Sequence, residues 1–188
     1  TDATSASPAG TYTSSCSGAA DDNYNISYTD GTVEVTAVAA PVMVTASSAT
    51  ITYGDAIPAI TATYAGFGGS QTVPGTPATC STTATPGSGV GTYPTTCTVS
   101  ADPGSTDVYT TGQLTITAAP ATVTASSASS TYGDAVPAIT PSYSGLVNGD
   151  TAPATAPTCS TTSTSVSPVG SYPSTCSGAV DPNYTFSY

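Results

Sequence analysis

The chain has 188 residues, a net charge of −11, and no Lys, Arg, His or Trp. That composition removes His-based acid–base and nucleophilic catalysis, Schiff-base chemistry and cationic phosphate clamps. It also removes the cations that nucleic acids and anionic membrane surfaces require, so neither is expected as a partner.

With one sign of charge there are no internal Lys or Arg ion pairs. Apolar burial, hydrogen bonds and disulfides must therefore hold the fold. A Ser/Thr-rich chain with 18 Gly and 16 Pro can be disordered, but its 12 Tyr and its regular alternation of apolar residues point to folded β structure.

Self-similarity organises the chain. Thr52-Tyr53-Gly54-Asp55-Ala56-Ile57-Pro58 returns 79 residues later as Thr131-Tyr132-Gly133-Asp134-Ala135-Val136-Pro137. Val90-Gly91-Thr92-Tyr93-Pro94 returns as Val169-Gly170-Ser171-Tyr172-Pro173, and Gly10-Thr11-Tyr12 and Cys16-Ser17-Gly18-Ala19 belong to an earlier copy. The expected organisation is residues 1–40 as the C-terminal part of a first repeat, 41–119 as a complete second repeat, and 120–188 as a third repeat without its last strand. The linkers Ala39-Ala40-Pro41 and Ala118-Ala119-Pro120 are short, and Pro stiffens the backbone on both of its sides.

In chain order, Tyr24, Ile26 and Tyr28 alternate with polar residues, as do Val33 and Val35 after Thr29-Asp30-Gly31. Asp-Gly between alternating segments predicts a hairpin over 24–37, with Gly112 in the same turn position of the next copy. Tyr-Gly-Asp at 53–55 and 132–134 reads as a strand end and turn, structural punctuation rather than a binding site. Leu114 and Ile116, and then Tyr184, Phe186 and Tyr188, complete the alternating set. No stretch has a helical period. The expected fold is all-β, with tandem small β-sandwich (Ig-like) repeats of about 79 residues on short stiff linkers. A β-grasp-like fold is the alternative and would need a helix.

Cys80 and Cys97, like Cys159 and Cys176, are 17 residues apart. A matched pair in each repeat, without His, predicts two disulfides and an oxidising extracellular or cell-surface location. Cys16 is unpaired in this arithmetic: either its partner lies upstream, the sequence being a window of a longer chain, or it bonds another chain. Asn25 and Asn183 head glycosylation sequons. Asp21-Asp22-Asn23 and Asp181-Pro182-Asn183 are oxygen-rich but lack calcium-loop spacing, and Asp and Asn are ordinary turn formers, so no metal site or cofactor is expected. Two-carboxylate hydrolysis needs only Asp, yet no Asp pair sits in an aromatic-rich pattern. The chain is not expected to be an enzyme.

Together these residues carry a family likeness. Tyr132-Gly133-Asp134, Tyr143-Ser144-Gly145-Leu146-Val147-Asn148-Gly149-Asp150, Val169–Pro173 and Asn183-Tyr184 resemble the MBG repeat of the Tyr-Gly-X type. The second repeat departs from the pattern where Gly68-Gly69-Ser70-Gln71 replaces Val147–Asp150. The resemblance implies a β-rich extracellular repeat of large bacterial secreted and surface adhesin-like proteins, with no catalytic residues. Expected roles are a filament or stalk segment assembling end to end, or an adhesin module binding a glycan or protein. The expected partners are further copies or a continuation of the same repeat chain. The third repeat should present an unpaired strand edge, covered by continuing chain or by a strand from a neighbour.

Overall fold

The structure, a computed structural model, describes residues 1–36, 41–66, 76–98 and 107–188. The expected linker at Ala39-Ala40 and the variant segment 68–71 lie outside the described residues. The described chain is all-β: its elements are strands, and no helix occurs among the described residues. Three repeat units follow one another.

The first unit is one antiparallel pair, β1 (Gly10–Ser14) and β2 (Gly31–Val35), in register Gly10 to Val35 and Ser14 to Gly31.

The second repeat has seven strands: β3 (Met43–Ala46), β4 (Ala49–Thr52), β5 (Ala62–Ala65), β6 (Thr79–Thr82), β7 (Gly91–Thr98), β8 (Val108–Thr110) and β9 (Gly112–Thr117). They form two sheets, ordered β5-β3-β8 and β4-β9-β7-β6. Val44, Ala46 and Tyr64 of the first sheet meet Cys97 and Cys80 of the second in one apolar cluster. The opening strand is split between the sheets and so is the closing one. β3 runs parallel to β8, and β4 runs parallel to β9.

The third repeat comprises β10 (Ala119–Ala125), β11 (Pro141–Ser144), β12 (Thr158–Thr161), β13 (Ser174–Ser177) and β14 (Tyr184–Ser187). Its sheets are β11-β10-β14 and β12-β13. The pairing of β10 with β14 repeats that of β3 with β8, since Met43 opposite Val108 corresponds to Thr122 opposite Ser187.

Alternation carries the burial, as period-2 strands require. Leu114 is fully buried, Ile116 nearly so, and Val44 and Val123 are among the largest enclosed side chains. Cys80 opposes Cys97 across β6 and β7, and Cys159 opposes Cys176 across β12 and β13; both pairs are disulfide-bonded.

The hairpin expected over 24–37 is not formed. Residues 24–28 make no strand, and β2 pairs with β1 instead. The reason is visible in the second repeat. The two consecutive strands β8 and β9 belong to different sheets, so the Thr-Gly step between them carries the chain across the edge rather than reversing it. Gly112 is therefore not a turn glycine. A Cβ there would stand 2.6 Å from the carbonyl oxygens of Ala46 and Ser47 and from Thr95 Oγ1. Only glycine lets β9 pass that close to the backbone of the opening strand.

Candidate functional site

The most strongly built polar and aromatic cluster lies where the second repeat meets the third. One residue, Ala118, separates β9 from β10, so a strand of one repeat runs almost directly into a strand of the next. Ala119 and Ala121 of β10 share a buried cluster with Leu114 and Ile116 of β9, Tyr53 and Tyr184. Leu146, Val147 and Phe186 close it from the side of the third repeat.

Tyr53 and Tyr184 form its centre. Their rings meet edge to face, with centroids 5.5 Å apart, and Phe186 lies 5.9 Å from Tyr184. Edge-to-face pairs add about 0.5–1.5 kcal/mol beyond burial. Both hydroxyls converge on one carboxylate oxygen: Tyr184 donates to Asp150 Oδ2 at 2.8 Å and Tyr53 to the same atom at 3.3 Å. The Tyr184 hydroxyl also bonds the Val147 backbone, accepting from its N–H at 2.9 Å. Burial, chiefly, and the neighbouring Asp150 carboxylate push the Tyr184 phenol up to about 12, against the pull of the Val147 N–H. Asp150 thus ties a tyrosine of its own repeat and one of the preceding repeat to a single point.

Gly54 makes this approach possible. Its φ is +91°, and a Cβ would lie 2.5 Å from Val147 Cγ2. The turn around it is held by Asp55, whose N–H donates to Thr52 O and whose carboxylate accepts from the Thr52 N–H. The sequence reading of Tyr-Gly-Asp as strand end and turn describes this local geometry. It missed that Tyr53 and Gly54 form a docking surface. Their partners, Val147, Asp150 and Tyr184, lie beyond the reach of any local pattern.

Asn183, one of the two sequon residues, stands in the same junction. Its Oδ1 accepts from the Val90 N–H of the preceding repeat at 2.9 Å. A Cβ on Gly89 would come within 2.9 Å of that oxygen. The side chain is thereby engaged between repeats. Asn25, the other sequon residue, is exposed on a segment outside any strand.

The oxygen-rich segments are turns. Asp21 Oδ1 accepts from Asn23 N, and Asp181 accepts from Asn183 N and Ala154 N. Among the described residues no three His, Cys, Asp or Glu side chains gather as metal ligands. No helix there is long and apolar enough to cross a membrane. Cys16 is an exposed free thiol.

Residues 1–34, 42–115 and 121–188 each match the MBG domain (YGX type). The chain belongs to that family. No curated protein and no solved structure gives a match. The three MBG matches follow the three units of the structure, and the Tyr53-Gly54 element occupies the joint between the second and the third.

Proposed function

We propose that this chain is a structural spacer of an extracellular protein, a stretch of stalk or filament in which MBG repeats lock end to end, and that it performs no catalysis. The observation that carries this reading is the apolar core continued through the junction. A flexible string of domains joins its units by polar linkers and keeps their cores separate. Here Tyr53 is buried by residues of the next repeat, and the connection is a single alanine. Such a joint resists bending.

The disulfides suit an oxidising location. A loop of that size adds about 3 kcal/mol in the chain-entropy picture, a large share for units near the lower size limit of stable domains. An acidic surface free of cations suits solubility rather than recognition of a charged ligand.

The test is the shape of the 121–188 and 42–115 pair in solution. Small-angle scattering of the whole chain should show one extended particle with a fixed inter-repeat distance. Tyr53→Ala should broaden that distance distribution while each repeat keeps its own unfolding transition. A broad distribution in the unaltered chain would refute the rigid-spacer reading.

A further inference from the structure

The joint between the second and third repeats is gripped by one short segment, Val147-Asn148-Gly149-Asp150. Its two ends do the holding. Val147 fills the space that Gly54 leaves, and its N–H donates to the Tyr184 hydroxyl at 2.9 Å. Asp150 Oδ2 accepts from both Tyr184 and Tyr53. The two residues between them are exposed, and a Cβ on Gly149 would meet nothing within 4 Å.

That middle pair forms a tight turn. Asn148 has a φ of +55° and Gly149 one of +82°, and Asp150 N donates to Val147 O at 3.0 Å. Positive φ at both central residues is the type I′ arrangement, for which Asn-Gly is a favoured pair. Among the described residues, Asn148 is the one non-glycine with positive φ.

The same dipeptide is chemically labile. An Asn side-chain amide is one five-membered ring away from the backbone nitrogen of the next residue, and a reaction within one chain gains from that proximity. A side chain on the next residue crowds the ring, and glycine has none. The four Asn of the chain, at 23, 25, 148 and 183, are followed by Tyr, Ile, Gly and Tyr. Only Asn148 is uncrowded.

We propose that Asn148-Gly149 is a self-modification site that unlocks this joint: Asn148 deamidates through a succinimide when the turn opens, and the isoaspartate so formed keeps the joint from closing again. The inference rests on the locked joint of the spacer reading and adds a means of release.

The chemistry needs only water. The Gly149 nitrogen gives up its proton to solvent base and attacks Asn148 Cγ. The Cγ–Nδ2 bond breaks, and Nδ2 leaves as ammonia with a proton returned from solvent. Water then opens the ring. Attack at Cγ yields Asp on an unchanged backbone. Attack at the backbone carbonyl yields isoaspartate, with the chain rerouted through Cγ and a free carboxylate on Cα. No electrons are exchanged with an outside reagent.

The closed joint guards the site. In a type I′ turn the Gly149 nitrogen lies across the Cα–C bond from Asn148 Cβ, so ring closure requires rotation about that bond. Rotation breaks the Asp150–Val147 hydrogen bond and carries Asp150 off the tyrosines. Reaction therefore follows local opening. Afterwards the backbone between Val147 and Asp150 is one methylene longer, and the two ends no longer reach Gly54 and the tyrosines together. The new carboxylate also stands two residues from Asp150, in a chain with no Lys or Arg to offset it.

The test is ageing of the whole chain in mildly alkaline buffer. Peptides from an aromatic-directed protease are weighed for the amide-to-acid change, and isoaspartate is identified by enzymatic carboxyl methylation. Small-angle scattering is recorded on fresh and aged chain. Amide loss at Asn148 should outpace that at Asn25, which is also exposed, by severalfold. The inter-repeat distance should be narrowly distributed in fresh chain and broad in aged chain. Tyr53→Ala, which opens the joint from its other side, should raise the rate at Asn148 severalfold and leave Asn25 unchanged. Asn148→Gly keeps a residue suited to the turn and should stay narrow through the same incubation. Equal amide loss at Asn148 and Asn25 would overturn the site. Isoaspartate at 148 with an unbroadened distribution would overturn its effect on the joint and leave the spacer reading standing. An unchanged rate in Tyr53→Ala would overturn the guarding by the closed joint. A broad distribution in fresh chain would overturn the spacer reading and this proposal with it.

Discussion

The second and third repeats share motif, disulfide spacing and first-to-last strand pairing, yet the same residues meet different fates in each. Tyr53 is 7% exposed and Tyr132 is 67% exposed. Ala49, Ile51 and Thr52 of β4 are partly buried, whereas their counterparts Ala128, Ser130 and Thr131 are exposed and form no strand. The local sequence supplies the turn in both places: Asp55 N donates to Thr52 O, and Asp134 N donates to Thr131 O. In the second repeat β4 pairs with β9, and Tyr53 packs against residues of the third repeat. Burial of Tyr53 is conferred by the neighbouring repeat, through Val147 and Tyr184.

That comparison is best broken at its centre. Leu114→Ala removes the side chain that the walls of the second repeat enclose most fully, at 0% exposure. A loss of about 2–5 kcal/mol is expected by calorimetry or denaturant titration. Val169→Ala, on the surface of the third repeat at 96% exposure, should change stability by less than about 0.5 kcal/mol. Equal losses at the two positions would show that Val169 is enclosed as fully as Leu114.

The matched glycines sharpen it further. Gly54 and Gly133 share φ values of +91° and +92°. Substituting Ala at either carries the left-handed cost of roughly 1–2 kcal/mol. Gly54→Ala additionally drives a methyl into Val147 and should lose about 1–3 kcal/mol more through overpacking. The difference between the two variants, measured by denaturant unfolding, isolates the contribution of the junction.

The smallest effect is in alkali. The Tyr184 phenol is pushed up to about 12 in the folded chain, above its ordinary value of 10.0. From about pH 10 upward the unfolded chain releases that proton while the folded chain keeps it. The tyrosine's contribution is therefore fully present below about pH 10 and lost as the pH rises to about 12. Unfolding midpoints followed across that window should fall less steeply for Tyr184→Phe than for the parent chain. Parallel curves would place Tyr184 outside the closed junction.

Much of the fold could be read from residues alone. Alternation located β2, β9 and β14, because a half-buried strand writes its own period. Equal cysteine spacing singled out Cys80 with Cys97 and Cys159 with Cys176 because adjacent antiparallel strands hold one register in both copies. The hairpin failed for a physical reason: Thr29-Asp30-Gly31 has turn chemistry, but its glycine matches Gly112, which serves a close approach to Ala46 and Ser47. The junction was hidden more deeply. Nothing near Tyr53 announces that Asp150, 97 residues away, will bind its hydroxyl. The one trace was negative, the departure of 68–71 from the Val147–Asp150 pattern, and it gains meaning only once those residues are seen to hold a neighbour.

The parallel pairing of opening and closing strands has a mechanical consequence. A pull along the chain enters the second repeat at β3 and β4 and leaves through β8 and β9. These strands lie side by side and run the same way, with Met43–Thr45 against Val108–Thr110 and Ala49–Thr52 against Leu114–Thr117. Opposed forces at their far ends slide one strand along the other, so the ladder bonds are loaded together instead of one at a time, as they would be in an opening zipper. The geometry that closes each repeat is thus one that resists tension, and the single-residue step at Ala118 hands that tension directly to the next repeat.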